Sequence, residues 1–340
     1  MNALDRRLCV APMMDWTDRH CRILHRLYAP HALLYTEMIV AAALVRGDAA
    51  RLLAHDAAEH PVALQLGGCD PVELAQAARI GAAAGFAEIN LNVGCPSDRV
   101  KNGSFGACLM LRPELVAECV ARMREAVQVP VTVKCRIGID TRNDYEFLAE
   151  FAARVVAAGI DALIVHARVA ILGGLSPKEN REIPPLCYDA VYRLKRERPS
   201  LPLILNGGLH DAETALAHLA PGRVQGGLSA GADSLDGVML GRAAYHRPSV
   251  LAEIERAVLD PLWSIPAPEA VIERMVSYAR GQCRHGVRLH SISRHMHGLV
   301  AGREGARAWR RFLSEVAARP EAQPETLYAA LPLLRTKQAA

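Results

Sequence analysis

Eight short runs of apolar and β-branched residues recur along the first 245 or so residues of this chain, and most are followed by a segment of helical period. The runs are Leu8–Met13, Leu33–Met38, Pro61–Leu66, Glu88–Asn92, Val129–Arg136, Ala162–His166, Leu201–Asn206 and Gly237–Leu240. The helical segments are Pro71–Ala84, Pro113–Ala126, Asp144–Ala158, Tyr188–Glu197 and Asp211–Leu219. Strand then helix, eight times over that length, predicts a (β/α)8 TIM barrel. A doubly wound sheet would carry a Gly-rich turn after its first strand, where this chain has Ala11-Pro12-Met13-Met14-Asp15.

The alternation stops near residue 250. Pro261, Pro266 and Pro268 punctuate a linker, and helices are expected over Pro268–Arg284, Leu289–Ala301 and Gly305–Ala318. The division is therefore a barrel over residues 1–255 and a small C-terminal helical domain over 256–340. Charge divides the same way. Between Val271 and Arg311 stand nine arginines against Glu273 and Glu304, a local charge of +7. The other 31 basic and 34 acidic residues leave −3, so the overall +4 conceals one strongly basic region and a polyanionic partner is expected. Arg280, Arg284 and Arg288 are spaced by four and on one helix would share a face, with Gly281 and Gly286 positioned to break it.

The chain is 51% hydrophobic and 22% charged, enough to bury a large core. No apolar stretch reaches the roughly 18 residues of a membrane span. MNALDRR offers no signal core, so a cytoplasmic protein is expected. The nine cysteines form no Cys-x-x-Cys pair, and neither a disulfide scaffold nor a metal site is anticipated.

Barrel enzymes place their chemistry on the loops that follow the strands. Here those ends carry Pro12-Met13-Met14, Gln65, Asn90 to Pro96, Lys134 and Arg136, His166 and Arg168, Asn206-Gly207-Gly208, and Gly241-Arg242. A polar group ending an apolar strand needs a partner or a function. Gln65, Asn92, Lys134, His166 and Asn206 together form a ring of such groups. The glycines after strands 7 and 8 suit a phosphate, to which Arg242 adds charge with no competing role evident in the sequence. A phosphate there, with Lys134 at the mouth, suits flavin mononucleotide (FMN). A Schiff-base aldolase using Lys134 remains an alternative. Cys95 opens a loop bearing Arg99, Lys101, Gly103 and Gly106, a candidate acid beneath a candidate lid. The other eight cysteines read as small buried hydrophobes.

These residues closely resemble the tRNA-dihydrouridine synthases. Asn90-Leu91-Asn92-Val93-Gly94-Cys95-Pro96 matches the active-site motif of that family, and the loop from Gly174 to Pro185, with Arg294-His295-Met296, is similar to its bacterial A subfamily. The resemblance spans barrel, linker and tail. It implies FMN bound by Pro12, Met13, Met14, Gln65, Lys134, His166, Asn206, Gly207, Gly208, Gly241 and Arg242. It also implies tRNA contacts by Asn92, Lys178, Arg181 and Arg294. The reaction implied is reduction of the C5–C6 bond of D-loop uridines 20 and 20a. Hydride passes to C6 from FMN reduced by NADPH, and Cys95 gives a proton to C5. A monomer is expected. Two departures stand out: Val169-Ala170-Ile171, where lysine and tryptophan would flank the alanine, and Ser229 to Ala232, which resembles an insertion. Two other readings remain. An FMN barrel reductase of a small enone or of dihydroorotate type leaves the basic tail without purpose, and a non-catalytic RNA-binding barrel would carry no flavin.

Overall fold

A computed structural model of the chain describes residues 4–97, 105–219 and 234–334. Eight parallel strands close into a barrel in sequence order, with β1 paired to both β2 and β8. The strands are β1 (Leu8–Val10), β2 (Leu33–Val40), β3 (Val62–Gly67), β4 (Glu88–Val93), β5 (Val131–Arg136), β6 (Ala162–His166), β7 (Leu203–Asn206) and β8 (Gly237–Leu240). Each leads to a helix: α1 (Arg19–Tyr28), α2 (Ala41–Arg46), α3 (Pro71–Ala83), α4 (Pro113–Ala126), α5 (Tyr145–Ala157), α6 (Tyr188–Glu197), α7 (Ala212–Ala217) and α8 (Arg242–His246). A ninth helix, α9 (Ser249–Val258), leads out of the barrel.

Four strands end or begin beside a proline that the sequence reading had included in them. Val10, Val62, Val131 and Leu203 border Ala11-Pro12, Pro61, Pro130 and Pro202. Proline has no N–H to give to a ladder, so it falls at strand boundaries. Three helices were not foreseen, α1, α2 and α9. The α1 helix buries His20, Arg22 and His25 beside Ile23 and Leu24, so its inner face lacks the apolar stripe that betrays a helix.

Alternate residues of the strands fall into two separate clusters. Leu8, Leu34, Leu64, Leu91, Val133, Val165 and Leu205 pack outward under the helices. Cys9, Leu33, Tyr35, Ala63, Ala162, Ile164, Ile204 and Met239 fill the barrel itself. Each fully buried aliphatic side chain contributes about 1.5–3 kcal/mol. Between β3 and β6 the interior turns polar, with Gln65, Glu88, Asn90, Thr132 and His166 all buried.

The helical tail comprises α10 (Pro268–Arg284), α11 (Leu289–Ser293) and α12 (Ala306–Glu315). The single helix expected over Leu289–Ala301 instead tightens to a 3₁₀ turn at Arg294–Gly298. That turn lies against α8 so closely that a Cβ on Gly298 would stand 2.4 Å from the His246 carbonyl oxygen. Trp309 fills the tail core and donates from Nε1 to the Met296 carbonyl at 2.8 Å.

The tail seats on α1 and α8, the helices that follow the first and last strands. Asp18 caps α1 with Oδ1, accepting from His20 N and Cys21 N, while its Oδ2 accepts from Arg294 at 2.6 Å and His295 Nε2 at 3.0 Å. Trp16 stacks on Tyr245 at 4.2 Å, and the Tyr245 hydroxyl donates to the Arg294 carbonyl. Among the described residues no helix is long and apolar enough to cross a membrane.

Candidate active site

The strand ends converge as the spacing implied. Asn92 is in register with Lys134, Arg136 with His166, and His166 with Asn206. Lys134 donates from Nζ to Asn206 Oδ1 at 2.9 Å, and Asn206 Nδ2 donates to the Met239 carbonyl at 2.7 Å, which fixes the amide with its oxygen toward the cation. Burial, with the Arg136 charge nearby, brings the Lys134 ammonium down to about 8. Burial and the Arg136 and Lys134 charges hold His166 far below its ordinary range, so it presents a neutral imidazole.

The loops after β7, β8 and β1 meet beside this ring. Gly207 and Gly208 adopt φ of 103° and 75°, conformations that other residues reach only with strain. A Cβ on Gly207 would lie 2.4 Å from the His166 ring, and one on Gly208 would lie 2.3 Å from the Tyr188 hydroxyl. Tyr188 in turn donates to the Gly207 carbonyl at 3.0 Å. Across the closure, Ala11 N donates to the Leu240 carbonyl, and Met13 Sδ and Ala11 Cβ are the nearest atoms to the side-chain position of Gly241. Met13 is tied back by Thr17, which accepts from its N–H at 2.9 Å, while neighbouring Met14 is 56% exposed.

This cradle of small residues around a buried cation and a neutral imidazole fits a phosphorylated ring cofactor such as FMN. One expectation is corrected. Arg242 does have a competing role, since NH1 pairs with Glu182 at 2.5 Å and NH2 donates to the Arg181 carbonyl.

Cys95 stands partly buried just beyond β4, its thiol 3.5 Å from Ser97 Oγ. Asn92 Oδ1 accepts from both Gly94 N and Cys95 N, at 3.1 and 3.0 Å, and Ala107 N donates to the Cys95 carbonyl. Asn92 therefore spends its carbonyl on the loop and its amide on Gln65, at 2.8 Å. Arg136 braces the same loop from beneath. It donates to the carbonyls of Gly94, Val169 and Asn180 at 3.2, 3.2 and 2.9 Å. The sequence reading noted Arg136 at a strand end without giving it a task; a charge two residues past Lys134 was the available signal. Gly106 has φ of 73°, whereas Arg99, Lys101 and Gly103 lie outside the described residues.

The family model for dihydrouridine synthase (Dus) matches residues 9–333. This chain belongs to the dihydrouridine synthase family. Curated relatives named tRNA-dihydrouridine(20/20a) synthase are similar over nearly their whole length. The one from Xanthomonas axonopodis pv. citri is 54% identical over 329 residues, covering 97% of this chain and 94% of the relative. Those from Shewanella oneidensis and Escherichia coli K12 are 53% and 50% identical, covering 92% and 98% of this chain and 90% and 92% of theirs. Among solved structures, a 2-naphthoyl-CoA reductase complex shares the fold with a TM-score of 0.57 at 12% identity, over 74% of this chain and half of its own.

In this dihydrouridine synthase the loop after β6 is knit around Asn180, which is fully buried. Its Oδ1 accepts from Ile171 N, and its Nδ2 donates to the Ile171, Leu175 and Ser176 carbonyls. Ala170 bridges to Ile139. The path of Val169-Ala170-Ile171 is therefore held through its backbone groups. The Ser229 to Ala232 departure lies outside the described residues.

Lys178 and Arg181 are exposed on this loop. Burial, with the Arg242 charge nearby, draws the Arg181 guanidinium below its ordinary value. Arg294, expected on RNA, is engaged with Asp18. Gly281 lies within α10 without breaking it, so Arg280 and Arg284 share a face of that helix, whereas Gly286 (φ 82°) follows its end and Arg288 stands at the N-cap of α11, off that face. Arg280 and Arg311 pair with Glu325 and Glu315, acids from outside the basic window. Arg274, Arg284, Arg288, Arg303, Arg307 and Arg310 are exposed, with no ion pair among the described residues.

Proposed function

We propose that this enzyme reduces the C5–C6 double bond of uridine in the D-loop of tRNA, at the 20 and 20a positions that its relatives' name carries. The observation that carries the reading is Cys95, held by Asn92 at the barrel mouth above Lys134 and His166. FMN, when bound, supplies hydride drawn from NADPH. Gly207, Gly208 and Gly241 would receive its phosphate, with Arg242 exchanging Glu182 for it. Lys134, protonated below about pH 8, offers positive charge to a ring that gains an electron pair. Neutral His166 can donate or accept a hydrogen bond without adding charge. Pro12, Met13, Met14 and Gln65 would line the ring.

Cys95 completes the addition by moving its Sγ proton to C5. A thiol suits this because it keeps its proton near neutral pH and gives it up on demand. A stacked base cannot present C5 and C6 to the mouth, so the uridine leaves its stack at a cost of a few kcal/mol, lower in an irregular loop. The barrel performs the reduction, and the tail grips RNA phosphates with its exposed arginines, joined by Lys178 and Arg181. We place the enzyme in the cytoplasm as a monomer.

Incubation with NADPH and unmodified tRNA should add the mass of two hydrogen atoms at a D-loop uridine. Cys95→Ala should lower that rate by roughly a hundred- to ten-thousand-fold while the protein remains yellow. Undiminished turnover would remove the proton-donor assignment. Reduction of a small enone with no affinity for tRNA at low salt would instead identify a small-molecule reductase.

A further inference from the structure

A chain of hydrogen bonds descends from the Cys95 loop through the barrel interior. Asn92 Nδ2 donates to Gln65 Oε1, Gln65 Nε2 to Asn90 Oδ1, and Asn90 Nδ2 to Thr132 Oγ1, each at 2.8 Å. The Thr132 hydroxyl then donates to Glu88 Oε1 at 2.6 Å. Glu88 is fully buried, accepts from the Tyr35 hydroxyl at 2.6 Å and pairs with Arg6 at 2.7 Å. Every link donates downward and the chain ends on a carboxylate, which has no proton to return. At the top, the Asn92 carbonyl faces two backbone N–H groups. The two ends therefore impose the same polarity. An amide reversed anywhere between them would set like atoms face to face in a buried site.

We infer that Glu88, at the foot of β4, is a positioning residue for Cys95: through Thr132, Asn90 and Gln65 it fixes the polarity that keeps the Asn92 carbonyl on the Cys95 loop. The inference deepens the proposed function and rests on Cys95 being the proton donor. In Glu88→Gln the Arg6 guanidinium, a charged donor, claims the amide oxygen. The amide nitrogen then faces Thr132 and Tyr35. Thr132 can no longer donate downward, and its buried proton regains an acceptor only when the Asn90 carbonyl turns to it. The reversal then travels up through Gln65 until Asn92 turns its nitrogen toward the loop N–H groups.

The test alkylates the purified full-length protein as isolated with iodoacetamide and follows Cys95 by peptide mass spectrometry, with buried Cys119 as the reference for general opening. Glu88→Gln should accelerate Cys95 by roughly three- to tenfold, the worth of about one hydrogen bond, and leave Cys119 unchanged. Asn92→Ala should give the same increase, and the double variant no more than either. Thr132→Val, which breaks the chain at unchanged shape, should match Glu88→Gln and serves if the charge-removing variant does not fold. Tyr35→Phe takes a hydrogen bond from the same carboxylate without entering the chain and should leave Cys95 at the wild-type rate. A wild-type Cys95 rate in both Glu88→Gln and Thr132→Val, additive effects in the double variant, or equal acceleration at Cys119 would overturn the inference. Failure of the proton-donor reading is separate: Cys95→Ala would then turn over tRNA fully while the thiol still responded to Glu88.

Discussion

Lys134 shows how one side chain links the stability of the barrel to its chemistry. Its ammonium titrates at about 8, against about 10.4 for a lysine in water. Between those values the unfolded chain holds a proton that the folded chain has released, so stability rises with pH across that window. Below about pH 8 the burial cost is fully present and constant. Lys134→Met has no such term. Urea midpoints of the flavin-free protein should therefore show the stability of wild type relative to this variant improving as pH rises from about 8 to 10. A gap that stays constant over that range would mean the lysine is not desolvated. Lys134 was legible because Val131-Thr132-Val133 leads to a charge that an apolar strand does not tolerate without reason. Glu88 was not, because a glutamate opening a strand reads as its boundary. Its partners Tyr35, Thr132 and Arg6 lie 53, 44 and 82 residues away, on other strands or before the first.

Among the elements, α1 carries the most consequence for the least visible signal. Its buried face is built from His20, Cys21, Arg22 and His25, and burial depresses His20 and His25 to about 4 and 3, so both pack as neutral rings. Only its cap was available to a reader of the sequence. Burial raises the Asp18 carboxyl, yet the His295 hydrogen bond and charge, with the α1 N–H groups and Arg294, hold it well below the usual carboxylate range. Asp18→Asn separates capping from docking. Asparagine caps as well as aspartate, but its amide nitrogen would face Arg294 and His295. That variant should lose about 1–3 kcal/mol of tail docking and weaken tRNA binding, with flavin content unchanged. Equal loss of flavin would show that Asp18 supports the barrel rather than the seating of the tail. The strands and the helices after β3 to β7 were legible because apolar period and proline punctuation agreed there. The 3₁₀ turn at Arg294–Gly298 was not, because its tightness is set by α8, about fifty residues upstream.

For the whole molecule, the formal charge of +4 is a poor guide to where the proposed function would hold RNA. The sequence located the basic region but could not reveal that Asp18, Glu315 and Glu325 reach three of its nine arginines. The six with no ion pair among the described residues should carry the salt dependence. Replacing Arg284, Arg288 and Arg307 together with alanine should reduce the log–log salt slope of tRNA binding by about two to three, at 0.7–0.9 per phosphate contact. Arg280→Ala should change it less, because Glu325 already neutralises that guanidinium. Equal effects would show that pairing does not decide which arginines meet RNA.

The closure between β1 and β8 also orders how the enzyme can be made. Leu8 pairs with Val238, so the first strand waits for about 230 residues to emerge from the ribosome before its ladder is complete. The seat for the tail shares this delay, since Asp18 lies beside the first strand and Tyr245 beyond the last. Synthesis therefore completes the barrel before the helical tail can dock on it.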